Sequence, residues 1–97
     1  MRYQVRLSAA ARAEIRALGA HERALVTAAI EALSIDAAVP SRHKKVLEGL
    51  HRRWAQRLPV WQLTVVPFRV FYNVHGLEVM VHAVRRKPSH MKTKQIV

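Results

Sequence analysis

The sequence predicts an α+β domain: an N-terminal strand and two helices packed on a mainly antiparallel sheet of about four strands. Three observations carry that expectation. Apolar residues recur at helical spacing between residues 9 and 37. Residues 60–84 are instead rich in β-branched and aromatic side chains, broken at Pro67 and Gly76. Finally, 97 residues with 51% hydrophobic content suffice for one modest core, so residues 1–97 read as a single domain.

The elements follow in order. Tyr3, Val5 and Leu7 alternate with Arg2, Gln4 and Arg6, the period-two pattern of a strand with one buried face. Ser8 is placed to N-cap a first helix whose stripe is Ala11, Ile15 and Leu18, with Gly19 as its stop. From Ala20 to about Ala37, Leu25, Val26, Ala29, Ile30 and Leu33 mark a longer second helix. Pro40 and Ser41 end it, and residues 42–49 read as a basic loop or short turn. Residues 60–66, 68–74 and 77–84 then form a three-stranded meander with turns at Pro67 and His75-Gly76. Two helices alone could not cover that much apolar strand, which places both on one sheet face. Residues 85–97 are too polar to extend the sheet and are expected to lie across its end or to be mobile.

The charge is large and uneven. Lys and Arg total 17 against six Asp and Glu, a formal net charge of +11. Residues 1–39 carry five basic and four acidic side chains, whereas residues 40–97 carry twelve and two. Such asymmetry favours a face that binds a polyanion, nucleic acid first among them, with an acidic protein as the other option. The absence of cysteine excludes a disulfide framework, a thiolate nucleophile and a sulfur-ligated zinc site. No phosphate-binding glycine loop and no HExxH pair occur, and the six histidines (21, 43, 51, 75, 82 and 90) show no metal-ligand spacing, so no metal or other cofactor is expected. Residues 1–6 lack the apolar run of a signal peptide and no segment approaches the roughly 20 apolar residues of a membrane span. A soluble cytoplasmic protein is the expectation.

Chemistry-bearing residues concentrate late in the chain. In the central strand Phe68, Val70, Tyr72 and Val74 share one face, leaving Arg69, Phe71 and Asn73 on the other. A guanidinium flanked by apolar residues costs desolvation unless it meets an anion, a protein carboxylate or a ligand phosphate, or snorkels to the rim; Glu48 and Glu78 are the only acids among residues 40–97. Arg85, Arg86, Lys87 and His90 follow the last strand, and a short chain can bring them beside Arg69. His90 titrates near neutrality and suits proton exchange, although a tail histidine also fits as an exposed bystander. His82, within a strand, reads as a structural histidine. Lys44, Lys45, Arg52 and Arg53 add basic groups for a nucleic-acid backbone. Trp54 fits either stacking on a base or packing at the sheet edge.

The order strand, helical pair, Lys45-Val46-Leu47-Glu48-Gly49, Trp61-Gln62-Leu63-Thr64-Val65 and Pro67-Phe68-Arg69-Val70-Phe71-Tyr72 resembles the RelE/ParE toxin superfamily of type II toxin–antitoxin systems. The resemblance runs over almost the whole chain. It implies a small α+β toxin whose basic concave surface is blocked by a cognate antitoxin, with operator DNA bound only by the complex. Many members cleave mRNA, often on the ribosome, and the ParE branch poisons DNA gyrase. By this resemblance Arg69 matches the strand arginine used at the scissile phosphate, and His90 and Lys87 lie near the C-terminal His or Tyr and its basic neighbour.

These matches imply a metal-independent endoribonuclease with Arg69, Lys87 and His90 as catalytic residues. Arg85, Arg86, Lys44, Lys45, Arg52 and Arg53 would hold the RNA backbone. The sequence departs from the pattern on the preceding strand, where basic residues are often found and Gln62 and Thr64 stand here. A glutamate used as base in some relatives aligns near Val46, with Glu48 displaced. The alternatives are a ParE-like inhibitor of gyrase that cleaves nothing and a non-toxic relative acting in transcriptional autoregulation.

Overall fold

The computed structural model describes residues 2–47 and 59–86. The chain runs β1 (Gln4–Leu7), α1 (Ala9–Arg16), α2 (Ala20–Asp36), β2 (Lys44–Leu47), β3 (Val60–Val65), β4 (Phe68–His75) and β5 (Glu78–Arg86). The strands form one sheet in the order β1-β5-β4-β3-β2, with β1 parallel to β5 and the other neighbours antiparallel. This is the expected α+β arrangement with a fifth strand. Among the described residues no helix is long and apolar enough to cross a membrane.

The fifth strand lies where a basic loop was expected. Lys44 and Lys45 hide its alternation, because the residue turned toward the helices is itself charged. Lys44 is buried and Lys45 exposed, while Val46 packs against the main core. Burial of Lys44 is tolerated because its Nζ lies 2.7 Å from the Asp36 carboxylate and donates to the Asp36 carbonyl, also at 2.7 Å. The strand is thereby clamped to the end of α2.

Ser8 caps α1 as its position suggests: Ala11 N donates to Ser8 Oγ at 3.0 Å. Gly19 differs from expectation. α1 stops at Arg16, and Gly19 instead precedes α2 in an extended conformation, its carbonyl accepting from Arg23 N at 2.8 Å. Gly76 has φ +60° at the first of the two residues linking β4 to β5, the conformation a tight hairpin needs there.

Both helices cover one sheet face. Ala11, Ile15, Val26, Ile30, Leu33 and Ala37 meet Leu63, Phe68, Val70, Tyr72, Val79 and Val81 in the main core. Tyr72 is fully buried, stacks on Trp61 with ring centroids 6.0 Å apart, and donates its hydroxyl to Ala37 O at 2.7 Å. Burial, with Asp36 nearby, pushes its phenol pKa well up. On the other face Val60, Phe71 and Ala83 form a smaller apolar cluster with Leu47 packed against it.

An irregularity in β5 decides which residues share that second face. Phe71 is opposite Ala83 but Tyr72 is opposite Val81, leaving His82 as the extra residue of a bulge. Val81 and Val84 both reach the helix side as a result, and Ala83 falls on the Phe71 side. Arg85 then comes opposite Arg69.

Candidate functional site

The site begins with a row across three strands: Thr64 on β3, Arg69 on β4 and Arg85 on β5 are successive register partners. All three are half-buried. The next row, Gln62, Phe71 and Ala83, is buried. A polar, partly open band therefore borders a dry floor on the sheet face away from the helices.

Directly opposed like charges are unfavourable across a strand pair. Arg85 is relieved by Glu14, with which it forms an ion pair. Glu14 belongs to α1, and its other role explains its position. β1 covers β5 only through Val81, so the exposed upper edge of β5 needs partners. Ser8 N donates to Val81 O at 2.9 Å, Ser8 Oγ to His82 O at 3.0 Å, and Val84 N to Glu14 Oε1 at 2.8 Å. The cap of α1 and its Glu14 thus finish the sheet edge and neutralise Arg85 together.

Arg69 has no such relief. Its Nη1 donates to the Phe68 carbonyl at 3.3 Å, and its Nε is buried without a hydrogen-bond partner. The acids Glu14, Glu22, Asp36 and Glu78 pair with Arg85, Arg86, Lys44 and Arg6 respectively. Among the described residues no carboxylate pairs with Arg69. Among the described residues its guanidinium is thus uncommitted to any carboxylate, and an external anion is the chemistry that would suit it.

The other basic candidates divide. Arg86 lies on the helix side of the sheet, 4.7 Å over the Phe68 ring and 2.7 Å from Glu22 of α2. Lys44 is buried and committed to Asp36. Lys45, facing Gln62 across the β2–β3 pair, is exposed. Arg52, Arg53, Lys87 and His90, as well as Trp54, lie outside the described residues. The carboxylates that hold Arg85 and Arg86 come from the helices, and Glu78, the acid nearest in sequence, pairs with Arg6 instead.

His82 occupies the bulge and is held in the fold. Its Nε2 lies 2.5 Å from Asn73 Oδ1, and Asn73 Nδ2 donates to Pro59 O at 2.6 Å. Burial lowers the His82 pKa below its ordinary value. Gln62, noted in the sequence only as a neutral residue where basic ones are often found, is a buried neighbour of the Arg69 row. It is 4% exposed, its Nε2 donates to Thr64 Oγ1 at 3.5 Å, and its Oε1 has no partner. A polar residue between the apolar Trp61 and Leu63 in a strand is the signal that could have marked it.

No family model matches the sequence, and no curated protein matches it. Solved structures do. The archaeal RelE–RelB complex from Pyrococcus horikoshii OT3 contains a chain similar to this one at TM-score 0.72 and 14% identity, over 92% of this chain and 99% of that one. The toxin–antitoxin complex RelBE2 from Mycobacterium tuberculosis contains another, at TM-score 0.69 and 21% identity, over 90% and 100%. Two helices on a five-stranded mixed sheet are therefore the α+β fold that this chain shares with these RelE structures.

Proposed function

We propose that the chain is the toxin of a type II toxin–antitoxin pair and that it cleaves mRNA without a metal, held inactive by a cognate antitoxin. The observation that carries this reading is Arg69, a half-buried guanidinium with no carboxylate partner among the described residues, on the open side of a RelE-like sheet. The net charge of +11 supports a polyanionic substrate. The Pyrococcus horikoshii structure is a RelE–RelB complex and the Mycobacterium tuberculosis one a toxin–antitoxin complex, which supports an antitoxin partner here.

The chemistry open to such a site is attack by an RNA 2′-hydroxyl on the adjacent phosphorus. The new bond joins O2′ to phosphorus as the bond to O5′ breaks, giving a 2′,3′-cyclic phosphate and a 5′-hydroxyl. One proton must leave O2′ and one must reach O5′. Arg69 and Lys87 stabilise charge on the phosphorane oxygens, and His90 exchanges the proton. Arg85, Lys45, Arg52 and Arg53 steer the backbone. DNA lacks the attacking hydroxyl and is spared.

A second reading is favoured by one observation: Gln62 and Thr64, neutral side chains, flank Arg69 on β3. A site whose β3 residues beside Arg69 are neutral suits a ParE-like inhibitor that binds gyrase and cleaves nothing. Mapping of 3′ ends on mRNA, with and without ribosomes, separates the two when run beside a gyrase supercoiling assay. New discrete ends with supercoiling unaffected support the nuclease. Intact RNA in both conditions together with lost supercoiling overturns it in favour of gyrase inhibition.

A further inference from the structure

Gln62 Oε1 and Arg69 Nε are both buried without a hydrogen-bond partner, on adjacent strands and on the same sheet face. Leaving such atoms unpaired is unfavourable. Because Thr64 is opposite Arg69 and Phe71 is opposite Gln62, Gln62 and Arg69 are diagonal neighbours, close enough for one ligand to touch both. One offers an acceptor and the other a donor.

The ligand chemistry follows from that pair. The amide of Gln62 is turned by its contact to Thr64 Oγ1, so the unpartnered atom is an acceptor. A phosphate oxygen is also an acceptor and cannot satisfy it. What fits is a hydrogen-bond donor attached beside an anion that Arg69 can hold. In RNA the 2′-hydroxyl stands next to the 3′-phosphate, whereas DNA has no donor there. A hydroxyl both gives and accepts hydrogen bonds, so it fits Gln62 with the amide turned either way. Burial runs in the same sense: Thr64 and Arg69 are half-buried while Gln62 and Phe71 are buried, so a phosphate held by Arg69 would lie nearer the surface than a ribose held by Gln62.

We infer that Gln62 is the ribose-recognising residue of this site: its amide binds the 2′-hydroxyl of the nucleotide whose 3′-phosphate Arg69 holds. This rests on the RNA reading above and deepens it. Discrimination for RNA then comes from a neutral residue on β3, and Arg69 contributes attraction common to any phosphate.

The test compares binding of one single-stranded RNA with its 2′-fluoro counterpart, which keeps an acceptor but has no donor at that position. Affinities are measured at fixed salt and at short times, with the RNA checked for integrity. The wild type should prefer the RNA by about fivefold, the size of one net hydrogen bond. In Gln62→Leu that preference should fall to about one. Gln62→Glu, which keeps an acceptor, should retain the preference while binding both oligonucleotides more weakly. Thermal unfolding of each variant shows that it is folded. Equal wild-type affinity for the two oligonucleotides, or a full preference persisting in Gln62→Leu, overturns the inference. If the wild type binds neither, the RNA reading itself fails.

Discussion

Lys44 and Arg69 are both basic strand residues beside apolar neighbours, yet their surroundings assign them different work. Lys44 meets Asp36 through both its carboxylate and its carbonyl, so it holds β2 to α2. Lys44→Ala should cost about 2 kcal/mol of stability, read as a lower urea midpoint with an unchanged m-value. The exposed end of the pair at Asp36 keeps the loss below that of a fully buried ion pair. His82 gives a pH signature. Its folded pKa lies below the unfolded value of 6.5, so below that pH the unfolded chain binds more protons than the native one. Its contribution is whole above pH 6.5 and declines as pH falls through the folded pKa. Comparing unfolding free energies of wild type and His82→Gln between pH 7.5 and 5.5 checks this: the wild type should lose more stability on acidification. The central strand's faces were legible from sequence, since alternation alone separates Arg69 from Val70 and Tyr72. The partners of Arg85 and Arg86 were not, because Glu14 and Glu22 arrive from helices more than sixty residues earlier.

At the scale of elements, the first turn of α1 has a double role. Ser8 caps the helix through Ala11 N and donates to His82 O on β5. Ser8→Ala removes both bonds and should cost about 1–2 kcal/mol, read by chemical denaturation. A Ser8→Asp variant keeps the cap but not the donor, and should recover only part of the loss. The three C-terminal strands were legible from their β-branched and aromatic runs. β2 was not, because two lysines open it and the buried one is stabilised only by a helix end that local sequence does not reveal. The bulge at His82 escaped for a related reason. An extra residue in one strand is defined against its partner's register, and β4 supplies that register only in the folded sheet. With it came the placement of Arg85 opposite Arg69, which alternation along β5 alone does not give.

For the whole molecule, charge and fold act together. Among the described residues the helices carry most of the acids that pair within the fold, and they lie on one sheet face, while Arg69 stands on the other without a carboxylate partner. RNA binding governed by that excess should weaken at least about tenfold between 50 and 200 mM salt, measured by gel shift or anisotropy. A flat salt profile would point to a partner recognised by shape. In the proposed reaction Arg69 acts on the scissile phosphate. The most direct measurement is single-turnover cleavage of one defined mRNA by wild type, Arg69→Lys and Arg69→Ala, each shown to be folded. Loss of one charge-stabilising contact of about 3 kcal/mol should slow Arg69→Ala by about a hundredfold or more. Arg69→Lys should fall between the two, since it keeps charge without the guanidinium's fork. A rate for Arg69→Ala equal to that of the wild type would remove Arg69 from the reaction.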